Sequence, residues 1–491
     1  MEMMSKRRQA GIWLIIQSNR FFLPRGKDFA SYQGANERPN QKNIIKILMF
    51  SVFRHIQKRT GKSCPHGRLM NVRPSLAGLS CIFGLMFLAM FSASAQEALQ
   101  NSLAGQNAGD ARTQQMQSQD YTIRDGDFRL LLVPSLEFDW NDNINLSKTN
   151  VLDDFIARPS VGITASYPLS QRNLLYLDIS IGYDRYFKNP SLSTLELNSS
   201  SGTGLSFDVG IKDVTLNFHD WLSYEQDSAQ TATVANTASY GTFQNTAGLA
   251  ATWDLNQATL SLGYDHQNVL STESQYDSVN HASEMLFGRV GLQVHPQVNV
   301  GLESSASFTA YDKDVLNNND AYTIGAYTEF RPGTFFKITA RGGYSIYKIQ
   351  QTSASIQTSS QNSWYAGLNL SHQPRESVSY SIAAGREVQF GIASDLVEDW
   401  YVRPNITWNI IKGLSFNTSL FYEHGSQGVG NIAGNLTETY DWYGGEFRIE
   451  HALTSRFTLG LNYRLTLRSS NSPDDGYKQN LVGLQLTYRP K

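Results

Sequence analysis

Cysteine is almost absent. The 491-residue chain has two, Cys64 and Cys81, both before Ile82. This excludes a disulfide scaffold and a cysteine-based zinc site from the rest of the chain. Charge is also sparse: Asp, Glu, Lys and Arg make up 17%, against about 25% in a typical soluble domain. Neither sign dominates. Forty-one basic and 43 acidic residues leave a net charge of -2, so no bulk field draws the chain to nucleic acid. A mean hydropathy of -0.34 is too polar for a bundle of membrane helices, which needs repeated apolar runs of about 20 residues. The serine elbow G-x-S-x-G and the zinc helix H-E-x-x-H do not occur. What the chain does have is 12% aromatics and 38 glycines; few charges with many aromatics argue against disorder.

One apolar run stands near the front. Leu76 to Ala95 reads LAGLSCIFGLMFLAMFSASA, preceded by Met70-Asn-Val-Arg-Pro and ending in Ala93-Ser94-Ala95. A short positive start, an apolar stretch and a small-x-small ending predict a secretory signal peptide over 70–95. Residues 1–69 are then expected to be a non-native N-terminal extension, with Met70 as the true start. Residues 96–127 are rich in Gln, Asn, Ser and Ala without apolar periodicity, which predicts a flexible periplasmic lead-in.

From Phe128 onward the chain alternates. In Phe457–Leu467, Phe457, Leu459, Leu461, Tyr463, Leu465 and Leu467 oppose Thr458, Gly460, Asn462, Arg464 and Thr466. In Trp400–Ile410, Trp400, Val402, Pro404, Ile406, Trp408 and Ile410 oppose Tyr401, Arg403, Asn405 and Thr407. Period two predicts strands with one apolar and one polar face. Short breaks, as at Lys212–Asp213, Asn256–Gln257 and Ile411–Gly413, alternate with longer polar stretches, as at Gln226–Ser239, Ser271–Asn280, Gln350–Gln361 and Gly425–Glu438. About 18 strands of roughly 10 to 16 residues follow, about twice the length usual in soluble sheets. Short turns at one end and longer loops at the other predict an all-β fold, a transmembrane antiparallel up-and-down β-barrel without a plug domain. Aromatics such as Trp140, Tyr167, Trp364, Trp408 and Tyr422 suit interfacial girdles.

On the polar faces, the expected lumen-facing residues include Arg158, Asp178, Arg289, Glu303, Lys337, Arg341, Arg403, Glu446, Arg448 and Arg464. Their signs nearly balance, so no ion selectivity follows. Tyr176, Tyr311, Tyr327, Tyr365 and Tyr401 also point inward, and filling space is the simpler role for them than stacking on sugars. His281 and Ser283 are an imaginable base and nucleophile, but two such residues on one strand face arise by chance. Asp312, Asp314 and Asn317–Asp320 could gather oxygens for calcium; a solvated loop is the simpler explanation. Asp220 and Arg386 break the apolar pattern, and a charge at mid-membrane there would be costly. A bulge near His219–Trp221 would re-aim Asp220; alternatively that end of the strand has already left the membrane.

The segment Val133-Pro-Ser-Leu-Glu-Phe-Asp-Trp-Asn-Asp-Asn-Ile-Asn-Leu-Ser147, followed by Asp153–Gly162, resembles the start of β-barrel porin families of Gram-negative outer membranes, some members of which accompany exopolysaccharide systems. Gly483-x-x-Leu486-x-Tyr488 resembles the C-terminal insertion signal of proteins assembled by the barrel-assembly machinery. It departs from that signal at Leu481 and in the trailing Arg489-Pro490-Lys491. The resemblance implies an outer-membrane channel of unassigned substrate and no catalytic residues. The expected protein is therefore not an enzyme and needs no cofactor. It is a passive channel for small polar solutes, with oligosaccharides among the candidates, exported by a Sec-type route and surrounded by outer-membrane lipid and lipopolysaccharide. The other reading is a non-conducting envelope barrel whose outer loops serve exopolysaccharide display or adhesion. The loops look too short for a large infolded constriction, which leaves residues 96–127 as the segment free to enter the lumen.

Overall fold

The computed structural model describes residues 121–198, 204–225, 227, 229, 231–353, 359–429 and 437–490. The expected extension, signal peptide and most of the lead-in lie outside the described residues. The first strands are β1 (Ile123–Asp125), β2 (Phe128–Asn141), β3 (Asp154–Pro168), β4 (Asn173–Tyr186), β5 (Thr194–Asn198), β6 (Gly204–Ile211) and β7 (Val214–Glu225). Next come β8 (Thr242–Asp254), β9 (Ala258–Ser271), β10 (His281–His295), β11 (Val298–Tyr311), β12 (Asn319–Gly333), β13 (Phe336–Ile349) and β14 (Gln361–Arg375). The last are β15 (Val378–Phe390), β16 (Leu396–Ile411), β17 (Leu414–Val429), β18 (Glu438–Ala452), β19 (Phe457–Ser470) and β20 (Tyr477–Tyr488).

All twenty belong to one antiparallel sheet. The ring closes where β20 pairs with β2, from Ser135 opposite Thr487 to Asn141 opposite Leu481. β4 pairs with β5 through Ser180–Asp184 and with β6 through Asn173–Asp178, so β5 and β6 share one place in the ring. β1 pairs with the start of β2 alone. Eighteen ring positions remain. Closure leaves no long open edge, which is what a sheet needs when lipid offers no hydrogen bonds.

The two faces explain why this sheet belongs in a membrane. Along β2, Phe138 is 51% exposed while its neighbour Asp139 is 1% exposed. The exposed face of the ring carries Leu136, Phe155, Ile181, Leu262, Leu302, Ile324, Leu368, Ile406 and Leu461. Charge inside and hydrocarbon outside invert the arrangement of a soluble core. On β16, Trp400 and Trp408 both face outward with Val402 and Ile406 between them. At about 3.4 Å per residue the two rings stand about 27 Å apart along the strand, which tilt reduces to roughly 20 Å, matching an apolar band of about 25 Å between girdles. At the short-turn end, Lys412 and Gly413 join β16 to β17 directly after Ile411 pairs with Leu414. Gly413 has φ +83°, a conformation that suits glycine in so tight a hairpin.

Arginine at Ile324, in the outward row of β12, is expected to cost about 2–4 kcal/mol if that position lies at the bilayer midplane. Urea unfolding in lipid vesicles would read this; no loss would place Ile324 outside the hydrocarbon.

Four expectations need correction. Residues 121–127 are not free lead-in: Ile123 pairs with Leu130 and Asp125 with Phe128, and Thr122 Oγ1 accepts from the Leu132 amide at 2.9 Å. β2 starts seven residues before its ladder with β20 begins, so β1 covers an edge that would otherwise stand open. The expected break at Gly425 is strand, since Gly425 pairs with Tyr440 and Gln427 with Glu438. β7 is regular through Asp220, which pairs with Leu205 and Ala247. Asp220 stays on the outer face, where Asn245 Nδ2 donates to it at 2.5 Å. The fourth correction concerns the infolded segments described next.

Candidate functional site

The inner wall holds its charges in pairs. Arg158 on β3 reaches Asp139 on β2 at 3.1 Å and Asp184 on β4 at 2.9 Å, and both carboxylates are buried. A second group forms on β10–β13. Arg289 lies 3.8 Å from Glu329 and 4.0 Å from Glu303, with its guanidinium 3.6 Å over the Tyr327 ring. Lys337 joins this group through Glu329 at 3.6 Å, and Tyr365 Oη donates to Glu303 at 2.9 Å. Arg403 Nε donates to Glu423 at 2.8 Å. Arg448 approaches Glu446 at 3.3 Å and Glu450 at 3.9 Å. Asp178 accepts from Thr164 at 3.1 Å. Arg341 pairs in register with Gly367, and its buried Nη1 has no hydrogen-bond partner among the described residues. The ten sequence-selected residues therefore fall into several clusters spread around the ring.

Arg464 on β19 is held by a residue the sequence did not flag. Its Nη1 meets Asp227 Oδ2 at 2.6 Å. Asp227 belongs to the segment between β7 and β8, six ring positions from β19. Burial tends to raise its pKa, but attraction to Arg464 and Arg158 outweighs this and holds the carboxyl below the ordinary 3.8. The same segment is fixed farther along. Arg468 Nε donates to the Ala232 carbonyl at 2.8 Å, and the Asn236 amide donates to the Leu146 carbonyl at 3.0 Å. Ala229, Ala232 and Val234 are buried in one apolar cluster with Leu146, Val397, Tyr440, Trp442 and Tyr477. So the β7–β8 segment folds into the mouth, against the expectation that no loop is long enough. Its apolar residues cover lumen-side aromatics that water would otherwise wet. Its polar, aperiodic sequence carried no signal of this.

A second element folds inward from the β15–β16 end. Three successive residues, Arg386, Glu387 and Val388, are buried, which breaks the alternation of a wall strand. Val388 and Leu396 pack with Met285, Ala321 and Tyr347. The loop beyond is tied across by Asn317, whose amide and Nδ2 each donate to Asp395 at 3.0 Å.

The inward tyrosines lie against glycines. A Cβ at Gly301 would sit 2.5 Å from Tyr327, and one at Gly325 would sit 2.0 Å from Tyr365 Oη. Tyr176, Tyr311, Tyr327 and Tyr365 are all buried, so their rings form wall and present little face to a solute.

The remaining candidates do not converge. His281 Nδ1 is 2.7 Å from the Val279 carbonyl, while Ser283 Oγ is 2.8 Å from Thr309 Oγ1. Each is thus engaged elsewhere, and no base–nucleophile pair forms. In the β11–β12 loop, Asn318 Oδ1 accepts from the Tyr311 amide at 2.8 Å and Lys313 pairs with Asp277 at 2.8 Å. Asn317 is spent on Asp395, and these oxygens do not gather. Arg386 is outward by register but turns into the wall. It donates to Ser363 Oγ at 2.9 Å and to the Trp364 carbonyl, pairs with Glu398 at 2.7 Å, and lies 4.6 Å over the Trp364 ring.

No family model matches the chain, and no curated protein matches it. Among solved structures, OccK2 (OpdF) of Pseudomonas aeruginosa in complex with glucuronate is 10% identical over 74% of this chain and 99% of its own, with a TM-score of 0.43. A BenF-like porin from Pseudomonas fluorescens Pf-5 is 10% identical over 74% and 99%, with a TM-score of 0.43. Pseudomonas aeruginosa OpdQ is 9% identical over 75% and 100%, with a TM-score of 0.44.

Proposed function

We propose that the chain is an outer-membrane channel for small polar solutes, entered through a mouth narrowed by its own infolded segments. One observation carries this reading: a ring of eighteen positions with hydrocarbon outside and paired charges inside. Barrels of 16–18 strands leave an aqueous path, whereas 8-stranded ones fill theirs with side chains. Arg158, Asp178, Arg289, Glu303, Lys337, Arg341, Arg403, Glu446, Arg448 and Arg464 are the proposed lining. Because nearly all are balanced by neighbours, a neutral polar solute such as a small oligosaccharide suits the path better than a highly charged one. Export by residues 70–95, insertion by the barrel-assembly machinery and contact with lipopolysaccharide belong to the same proposal.

The second reading is a non-conducting envelope barrel acting through its loops in exopolysaccharide display or adhesion. The apolar cluster at the mouth, with Leu146, Val234 and Val397 deeply buried, favours it. Planar bilayers separate the two. Stepwise conductance, reduced by added oligosaccharide, is expected of the channel. A folded barrel that stays silent across salt and voltage would overturn it.

A further inference from the structure

One arrangement occurs twice on the outer face. On β17 and β18, Tyr422 and His424 point outward, and Asp441 stands opposite His424 in register. His424 Nδ1 is 2.9 Å from Asp441 Oδ1, and Tyr422 Oη donates to the same oxygen at 2.8 Å. On β9 and β10, Glu284 stands opposite His266. His266 Nδ1 lies 3.0 Å from Glu284 Oε1, and Tyr264 Oη donates to the other carboxylate oxygen. A carboxylate at Nδ1 holds the proton there and leaves the lone pair on Nε2. Each imidazole is thus fixed as an outward-facing base.

The two places differ in the residue two positions farther along the strand, which alternation puts on the same face. After His266 it is Asn268, whose Nδ2 lies 3.0 Å from His266 Nε2. An amide occupies that base, and the contact shows that a side chain in this place reaches Nε2. After His424 the same place holds Ser426, a nucleophile. The side chains of His424 and Asp441 are 47% and 44% exposed, so a substrate has access to them. Glu398, opposite Ser426, is paired with Arg386 at 2.7 Å and does not compete for the imidazole.

The height of this group on the wall names its substrate. His424 is opposite Trp400 in register, and Trp400 and Tyr443 both face outward beside it. Trp400 belongs to the girdle at the long-loop end, and such girdles lie where acyl chains meet headgroups. The ester carbonyls of a bilayer lipid lie at that level.

We infer that Ser426 and His424, positioned by Asp441 and Tyr422, form a site on the lipid-facing wall that hydrolyses acyl esters of outer-leaflet lipids. As the ester arrives, rotation about the Ser426 side chain brings Oγ to Nε2, a bond that is commonly long in a free enzyme. Oγ attacks the ester carbonyl carbon and its proton passes to His424 Nε2. The acyl carbon–oxygen bond breaks, and the leaving alkoxide takes that proton and departs as the lyso-lipid alcohol. Water then attacks the acyl-serine. Nε2 takes the water's proton and returns it to Ser426 Oγ as the fatty acid leaves. Ester and water become acid and alcohol, with no other reactant. Thr439, opposite Ser426 on β18, offers the nearest hydroxyl to the developing oxyanion. The site needs the wall and its membrane, so it stands whether or not the lumen conducts.

The purified protein is placed in vesicles of phosphatidylethanolamine, with and without lipopolysaccharide, and released fatty acids are identified by mass spectrometry. The acyl chain released tells which lipid is cleaved. A long-chain alkyl fluorophosphonate is applied in parallel and its adduct mapped to a peptide. Heat-modifiable gel mobility verifies folding of every form. Fatty acid release and a phosphonyl group on Ser426 are expected of the parent protein. Ser426→Ala should lose the adduct and about a thousand-fold or more of the turnover. Asp441→Asn should lower kcat about a hundred-fold or more with KM unchanged, because the imidazole then loses its orientation. A folded parent that neither releases fatty acid from either lipid nor takes the phosphonyl group at Ser426 would overturn the site. So would turnover that survives Ser426→Ala. An unchanged kcat in Asp441→Asn would overturn the positioning of His424 by that carboxylate.

Discussion

Alanine at Arg158 is expected to lower the unfolding free energy of the barrel by about 3–5 kcal/mol, the cost of stranding a buried charge by removing its partner. Two carboxylates depend on this guanidinium. Asp139 has a fully buried side chain and Asp184 one that is 3% exposed, at 3.1 and 2.9 Å. Glu137 and Glu196 share the inner face nearby, paired in register with Arg158 and Gly182, and the other cation near Asp139, Arg464, is already paired with Asp227 at 2.6 Å. Urea titration in vesicles, followed by gel mobility, reads the loss. Adding Asp139→Asn and Asp184→Asn to the alanine variant should recover most of it, because the stranded charges are then gone. An unchanged loss in the triple variant would mean that Arg158 acts through packing alone.

Replacing Asp227 by alanine is expected to free the β7–β8 segment and raise conductance. A hydrogen bond to a charged group is worth about 1.5–3 kcal/mol, or about a ten- to hundred-fold shift in the ratio of docked to released segment. The pH dependence follows from the lowered pKa of the docked carboxyl. A group whose pKa is depressed by docking stabilises the docked form fully above its ordinary value, here 3.8. That contribution falls away as pH drops through the lower, docked value. Current through the parent protein should therefore be flat from neutrality down to about pH 4 and climb below it. Asp227→Asn should already conduct more at pH 7 and show no such climb. Equal currents in parent and variant at pH 7 would remove Asp227 from the role of tether.

The wall of this protein was readable because period two is a strong, repeated signal. Trp400 to Ile410 and Phe457 to Leu467 sort into faces by counting, and the expected strand number agrees with the eighteen ring positions. Where the reading failed, the residues had two explanations. Gly425 looked like a break, yet a Cβ there would come within 2.1 Å of the Tyr440 ring; the glycine makes room for a side chain within a continuing ladder. Val388 continues the outward row of β15 by register, yet it is buried against Met285, Ala321 and Tyr347. Ile123 to Asp125 is too short for any period to be visible. Asp227 lies in an aperiodic stretch, and its partner comes from a strand more than two hundred residues later. Arg386 did announce itself by breaking the apolar row, but its bonds to Ser363, the Trp364 carbonyl and Glu398 could not be read from spacing.

The seam between β2 and β20 has a kinetic meaning. Gln485 and Glu137 meet there across 348 positions of chain, whereas nearly every other ladder joins strands adjacent in sequence. Hairpins can form one after another with little loop entropy to overcome, but the last stitch brings together the two most distant ends. Completion is therefore a single late event. Until it happens the nascent sheet carries two bare margins, and the lone β1 turn shields only the foot of one.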